Sequence, residues 1–346
     1  MTTVQATDSR PRSADAATGP RIRHTVWLRE LVLLPVIVVA LIIGTITNPQ
    51  FLTLSNLFNN VLVTSAVLGL LVIAESVILI AGYIDLSLES IVGLAPMVAA
   101  WLMMPAAMGG AGLGWSPWLT IPVMFGVSAV IGLVNGVLIA VLKLNAFIIT
   151  LAQLILLRGL TLGISGGHTF TTLPEAFTWM GDTYLLGISV QVWIVVSFFV
   201  LAAALMRHHP VGRKIYATGG NEDAARAAGI NTTRLTIGLF VFGAMLAALA
   251  GLMLTSRLAS VTADQGTNLI FTVFAASVIG GIGLNGGRGT MFGAATGVLL
   301  LGIIDNILTL SNVPSFWISA VYGAIILGAS VLGHFSGGRR QSAKGR

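Results

Sequence analysis

Long apolar runs, separated by short polar or glycine-rich breaks, organise almost the whole chain. They fall at Leu31–Ile46, Leu57–Ile80, Ile91–Met104, Trp118–Leu142, Phe147–Leu162, Val190–Met206, Leu235–Leu254, Leu269–Ile279, Met291–Leu308 and Pro314–Leu332. A helix needs about 20 mostly apolar residues to cross the hydrocarbon core of a bilayer. The shorter runs therefore predict either spans that borrow flanking Gly, Ser and Thr, or helices that break inside the membrane where other protein covers them. The pattern predicts an all-α membrane protein of about ten transmembrane helices.

Composition agrees with that reading. Of the 346 residues 55% are hydrophobic and only 9% charged, against roughly 25% charged in a soluble domain. The chain has no cysteine, which excludes disulfides, iron–sulfur clusters and cysteine-ligated zinc. A net charge of +6 would suit nucleic acid, but its placement points elsewhere. With the N-terminus inside and alternating spans, 16 of the 18 Lys and Arg residues fall in inside segments, as the positive-inside rule requires. Only Arg158 and Arg257 lie elsewhere, and the Gly163–Ser189 loop carries no Lys or Arg. The expected topology is N-in and C-in, the charge being a topology signal, with the lipid bilayer as partner and no nucleic acid. Residues 1–29 read as a disordered cytoplasmic tail followed by an uncleaved first helix, 30–334 as the transmembrane domain and 335–346 as a basic cytoplasmic tail. The localisation expected is the bacterial cytoplasmic membrane.

The most informative polar stretch is Gly212–Arg234. Asn221 is a good N-cap, Glu222 and Asp223 suit a first helical turn, and Gly229 is placed to terminate. These residues predict a short surface helix of about two turns, with Gly219 and Gly220 letting the chain turn sharply before it. Such a helix is unstable alone and is expected to pack into something. A plain solvated connector is the alternative.

The pattern Asp223-Ala224-Ala225-x-x-x-Gly229 resembles the EAA loop of ATP-binding-cassette (ABC) permeases. Three more stretches extend the likeness: Ala81-Gly-Tyr-Ile-Asp-Leu-Ser87 is similar to an A-G-G-I-D-L-S signature. Gly132-Leu-Val-Asn-Gly136 with Lys143–Leu151 resembles a G-x-x-N-G…K-x-x-x-F-I-x-T-L run, and Ile279–Gly289 resembles an I-G-G-x-x-x-x-G-G-R-G loop. From about Phe51 to Leu332 the chain resembles the ribose/xylose/autoinducer-2 permease family of carbohydrate-uptake ABC transporters. It departs where Tyr83 and Glu89 stand in place of glycines, which bears on the substrate more than on the family.

The resemblance implies a permease subunit, not an enzyme. ATP and Mg would sit on a separate ABC ATPase docked at the helix formed by Gly219, Gly220, Asn221, Glu222, Asp223, Ala224, Ala225, Arg226 and Gly229. A second permease subunit, identical or paralogous, would complete the pathway, and an extracytoplasmic solute-binding protein would deliver a monosaccharide or similar small polar solute. The rival expectation is an ATP-independent secondary transporter or channel, with Glu75, Asp85 or Asp305 carrying protons or ions.

Other chemistry finds little support. There is no P-loop, so no ATP site of that kind. Gly281-x-Gly283-x-x-Gly286 matches a dinucleotide fingerprint only formally, because it joins two membrane spans rather than a strand and a helix. Gly280, Gly281, Gly286, Gly287, Arg288 and Gly289 read instead as a tightly turning loop in which Arg288 contacts a carbonyl or carboxylate. The histidines show no metal-ligand spacing, and no catalytic set is present. The translocation-pathway candidates are Glu75, Asp85, Ser87, Asn135, Gln153 and Asn306, since polar groups at membrane depth are costly and often functional. The plainer alternative has Asp85 and Glu89 in a loop, Arg158 snorkelling outward, Asp305 pairing within the bundle, and the amides making interhelical hydrogen bonds.

Overall fold

A computed structural model describes residues 33–324 and 327–328. The tails expected at 1–29 and 335–346, and the end of the last apolar run, lie outside the described residues. The chain is almost wholly helical. Its elements are α1 (Leu33–Thr47), α2 (Leu54–Ile80), α3 (Leu88–Met103), α4 (Pro117–Ala140), α5 (Ala146–Ser165) and α6 (Glu175–Asp182). A two-stranded hairpin, β1 (Tyr184–Leu185) and β2 (Ile188–Ser189), precedes α7 (Val190–His208). Then come α8 (Pro210–Gly220), α9 (Glu222–Ala227), α10 (Thr232–Leu258), α11 (Leu269–Ile279) and α12 (Met291–Leu310). Residues 315–324 are helical as well.

Every apolar run of the sequence overlaps a helix. Among the described residues six of them (α2, α4, α5, α7, α10 and α12) are long and apolar enough to cross a membrane, while α1, α3 and α11 are shorter apolar helices. The two short inner ones explain themselves. Irregular chain at 81–87 leads into α3, and at 259–268 into α11, so part of each path through the bundle is non-helical. Such backbone survives at depth only when protein groups satisfy it.

The layers are set by packing rather than by hydropathy. The apolar window of α2 is 94% buried inside the protein, whereas that of α5 is 17% buried at nearly the same hydropathy. α2 is the central helix, packed on α10, α12, α7 and α11. Small residues permit this closeness: a Cβ on Gly251 of α10 would lie 2.5 Å from the Val92 carbonyl oxygen of α3. The exposed apolar faces of α1, α4, α5 and α7 are surfaces available to lipid or another apolar partner.

Candidate functional site

The site begins at the end of the bundle where Lys143, Arg213, Lys214, Arg226, Arg234 and Arg288 gather. α9 is capped at both ends. The Asn221 side-chain oxygen accepts from the Ala224 N–H at 2.9 Å, and Glu222 and Asp223 occupy the first turn. At the other end Gly229 takes φ +84°. Its N–H donates to the Arg226 carbonyl at 3.0 Å and that of Ile230 to the Ala225 carbonyl at 3.1 Å, which is the Schellman arrangement. Ala225 faces inward, while Asp223, Ala224, Ala227 and Ala228 are exposed. The helix thus presents a small, smooth outer face.

What precedes α9 differs from the expectation of a sharp glycine turn. Residues 210–220 form α8, started by Pro210 at its first turn and the His209 side chain as cap. Gly219 and Gly220 close that helix, and the reversal falls at Asn221, in extended conformation. The requirement at 219 is proximity: a Cβ there would sit 1.8 Å from the Ile80 carbonyl oxygen and 2.7 Å from the Gly287 nitrogen.

The glycine loop after α11 completes that contact. Gly281, Gly286, Gly287 and Gly289 have positive φ, and the Gly287 N–H donates to the Ile80 carbonyl at 2.8 Å. Tyr216 of α8 donates to the Gly289 carbonyl at 2.7 Å. Gly280 packs on α12, where a Cβ would meet the Gly293 carbonyl oxygen at 2.4 Å. Arg288 departs from expectation. Its carbonyl accepts from Gly283, but its exposed side chain makes no hydrogen bond or ion pair among the described residues.

Glu222 ties α9 to the rest. Its Oε2 accepts from the Tyr83 hydroxyl at 3.1 Å. Its Oε1 accepts from Lys143 at 3.4 Å, from Thr232 at 3.1 Å and from Arg226. Partial burial pushes the Glu222 carboxyl up. The Tyr83 hydrogen bond, the Lys143 charge and the Arg226 and Thr232 hydrogen bonds outweigh it and hold the group below its usual range. The Tyr83 ring packs edge-on against Phe240 of α10, with centroids 6.2 Å apart. Tyr83, one of the two departures from the family signature, is therefore the contact between α9 and the chain entering α3.

Two residues further on lies a buried polar cluster. The Asp85 N–H donates to Glu75 Oε1 of α2 at 3.3 Å, and Asp85 Oδ1 accepts from the Ser87 N–H at 2.9 Å and the Ser87 hydroxyl at 2.5 Å. Asn135 Nδ2 of α4 donates to Ser87 Oγ at 2.9 Å. All four residues are 0% exposed. Glu75 Oε2, Asp85 Oδ2 and Asn135 Oδ1 have no hydrogen-bond partner. This cluster satisfies irregular backbone at depth, and joins α2, the entry to α3, and α4.

Four of the six pathway candidates thus come together. Gln153 stands apart, half-buried on α5. Asn306 also stands apart: it exchanges hydrogen bonds with Asn56 of α2, at 2.7 and 3.0 Å, the interhelical use. Glu89 lies in the first turn of α3 rather than in a loop. Arg158 turns inward, against the snorkelling alternative, bonding Glu89 Oε1 at 3.3 Å and the Gln265 carbonyl at 2.9 Å. Glu89 Oε2 also accepts from the Ile270 N–H at 3.2 Å, which caps α11. Gln265, Gln191 and Asn56 are among the buried polar residues that sequence reasoning missed. Gln265 Nε2 donates to the carbonyls of Val92 and Gly251, and Gln191 Nε2 to that of Met253. An amide in an otherwise apolar or loop context was their only signal.

A bundle of apolar helices with buried polar breaks and a capped helix at its basic end is that of a multi-pass membrane protein. Residues 57–330 match the family described as the permease component of branched-chain amino acid transport systems, and the chain belongs to that family. It is 34% identical over 308 residues to the ribose import permease protein RbsC of Haemophilus influenzae, covering 88% of this chain and 93% of that one. It is 33% identical to the L-arabinose ABC transporter permease protein AraH of Azospirillum brasilense over 96% of each chain. The autoinducer 2 import system permease protein LsrC of Yersinia enterocolitica is 33% identical, over 79% of this chain and 74% of that one. No solved structure gives a significant match. With its relatives and its six long apolar helices, the chain is a multi-pass protein of the bacterial inner membrane.

Proposed function

We propose that this chain is the membrane-spanning half of an ATP-driven importer for a monosaccharide or similar small polar solute. α9 is the helix that docks into a separate ATPase carrying ATP and Mg. Two permease halves enclose the pathway, with the N-terminus and the basic end inside, and an extracytoplasmic binding protein delivers the solute to the opposite end. The observation that carries the reading is the construction of α9. It is capped at both ends and smooth on its outer face, and Glu222 bonds it to Tyr83, two residues before the buried Asp85 cluster. Movement of α9 by the ATPase is thereby transmitted to the non-helical entry of α3, and from there to α2 and α4. Asp85, Ser87, Glu75 and Asn135 act as the hinge anchor of that entry rather than as direct solute ligands.

The test is purification of the tagged protein in mild detergent, with its copurifying chains identified, followed by ribose and L-arabinose uptake in proteoliposomes. A stoichiometric P-loop ATPase, lost in Gly229→Asp and in the Glu222→Lys/Asp223→Lys double variant while insertion continues, supports the reading. Uptake that survives ATP depletion and follows a proton gradient would replace it with a secondary transporter.

A further inference from the structure

Far from α9, the bundle holds a second polar site. Thr232, at the start of α10, bonds Glu222 and Arg226. Arg257 is one residue from the other end of that helix, about 37 Å away at 1.5 Å per residue. On the importer reading this is the outer half of the membrane domain. Arg257 was one of only two basic residues outside the inside-positive segments, and no coupling role uses it.

Arg257 lines a cleft of about 260 Å³ together with Thr64, Ser65, Thr272, Asp305 and Tyr322, walled elsewhere by leucine and valine side chains. Helices α2, α10, α11, α12 and the 315–324 helix all contribute. Tyr322 donates to Asp305 Oδ1 at 2.8 Å. The Ser65 hydroxyl is buried, with the residue 5% exposed, and has no partner. A Cβ on Gly302 would lie 2.0 Å from that oxygen, so the hydroxyl packs closely on the backbone of α12. Among the described residues neither the Arg257 guanidinium nor the Thr64 and Thr272 hydroxyls make a hydrogen bond.

Open hydrogen-bonding capacity of both kinds, next to a charged donor and a charged acceptor, is costly at membrane depth. Such groups pair with one another, as Arg257 and Asp305 attract across the cleft, and face a water-filled cavity or a polar ligand with what hydrogen-bonding capacity is left. A monosaccharide fits this chemistry: its hydroxyls donate to a carboxylate and accept from a guanidinium, while its C–H faces lie on aliphatic walls. The volume falls below the roughly 300–1,000 Å³ of drug-sized sites, which suits one sugar ring. We propose that this cleft is a sugar-binding station on the outer half of the pathway, with Arg257 and Asp305 as its charged contacts and Thr64 and Thr272 as hydroxyl contacts. The proposal rests on the importer reading and names where the membrane subunit itself touches the solute.

The absence of cysteine from the chain makes the test direct. In the reconstituted transporter with its ATPase and binding protein, Thr272→Cys is labelled by a membrane-impermeant cationic thiosulfonate added outside, in nucleotide-free and vanadate-trapped states. Thr64→Cys serves should the first variant not fold, and Thr183→Cys on the outer loop is the control. The expected result is labelling in at least one state, slowed by whichever of ribose and L-arabinose the unaltered protein takes up. The slowing is about tenfold at a sugar concentration ten times its dissociation constant, and labelling of Thr183→Cys is unaffected. Asp305→Asn and Arg257→Gln are expected to abolish the protection while the ATPase still copurifies. Uptake by the unaltered protein without protection at the cleft cysteine overturns the station and leaves the importer reading standing. Absence of ATP-dependent uptake of ribose, L-arabinose and every other monosaccharide tried defeats the sugar importer reading, and the station with it.

Discussion

The Glu222 network and the Asp85 cluster are joined through Tyr83 and use the same kinds of groups, yet their surroundings give them opposite characters. Glu222 sits at the water boundary with four donors shared between two oxygens. Its bonds are redundant and each is individually weak, because solvent can replace a lost partner. Asp85 is wholly buried, and its Oδ1 alone satisfies both the backbone and the side chain of Ser87. There each bond is singly determined, and losing it strands a polar group in a medium that offers no substitute. On the proposed importer reading, an adjustable joint beside a fixed anchor would pass motion of α9 into the membrane bundle.

The largest effect should come from the backbone contact beneath both regions. Gly219→Val places a side chain on the Ile80 carbonyl oxygen, and the expected loss reaches or exceeds the upper end of the roughly 1–3 kcal/mol of overpacking. Thermal unfolding in detergent would show a collapsed or absent transition, and a normal melt would mean that α8 can separate from α2 without penalty. Next, Asp85→Ala should cost about 1–3 kcal/mol for each Ser87 group left unpaired. Asp85→Asn, which keeps an acceptor, should melt closer to the unaltered protein yet still lower uptake. Equal uptake by Asp85→Asn and the unaltered protein would reduce the anchor to a passive loop fixture.

At the joint itself the stability effects should be small and the functional ones larger. Tyr83→Phe keeps the ring contact with Phe240 and removes the hydroxyl's bond to Glu222 together with its interaction with Thr236. Its melting should shift by the equivalent of about 1 kcal/mol or less, while ATP hydrolysed per sugar transported rises. An unchanged ratio would place the transmission elsewhere. The depressed Glu222 carboxyl sets a pH dependence as well: its stabilising contribution is fully present above the unfolded-state value of about 4.3 and disappears as pH falls through the lower folded value. The stability advantage over Glu222→Gln should therefore hold at pH 7 and close in the acid range below about 4, readable from paired melts. Smallest of all, Lys143→Ala should change stability by no more than about 0.5–1 kcal/mol, because three other donors remain on Glu222.

The short-range features were legible in the sequence because their causes are short-range. Asn221 before two acids, a run of alanines and Gly229 encode a capped helix whatever surrounds it, and α9 follows those signals at both ends. Leu269–Ile279 was legible to the residue, because hydropathy changes sharply at both of its ends. α8 was missed because two terminal glycines and mixed polarity read as a turn. Its helix is held by the Gly219 contact with Ile80 and the Tyr216 contact with Gly289, partners more than 70 residues distant. Arg158 could not be placed for the same reason, since its inward course depends on Glu89 and Gln265.

By itself, then, the sequence determined that the chain is an all-helical membrane protein, where its apolar helices run, and that a short capped helix lies in its most basic loop. These follow from hydropathy, local propensity and charge, each summed over neighbouring residues. Only the tertiary structure decided that α2 is central and α5 peripheral, that Glu75, Asp85, Ser87 and Asn135 meet while Asn306 pairs with Asn56, and that Tyr83 reaches Glu222. A polar side chain in a membrane bundle is assigned by the one partner that relieves its desolvation. Here that partner lies on another helix, 48 residues away for Asn135 and Ser87, 139 for Tyr83 and Glu222, and 250 for Asn56 and Asn306.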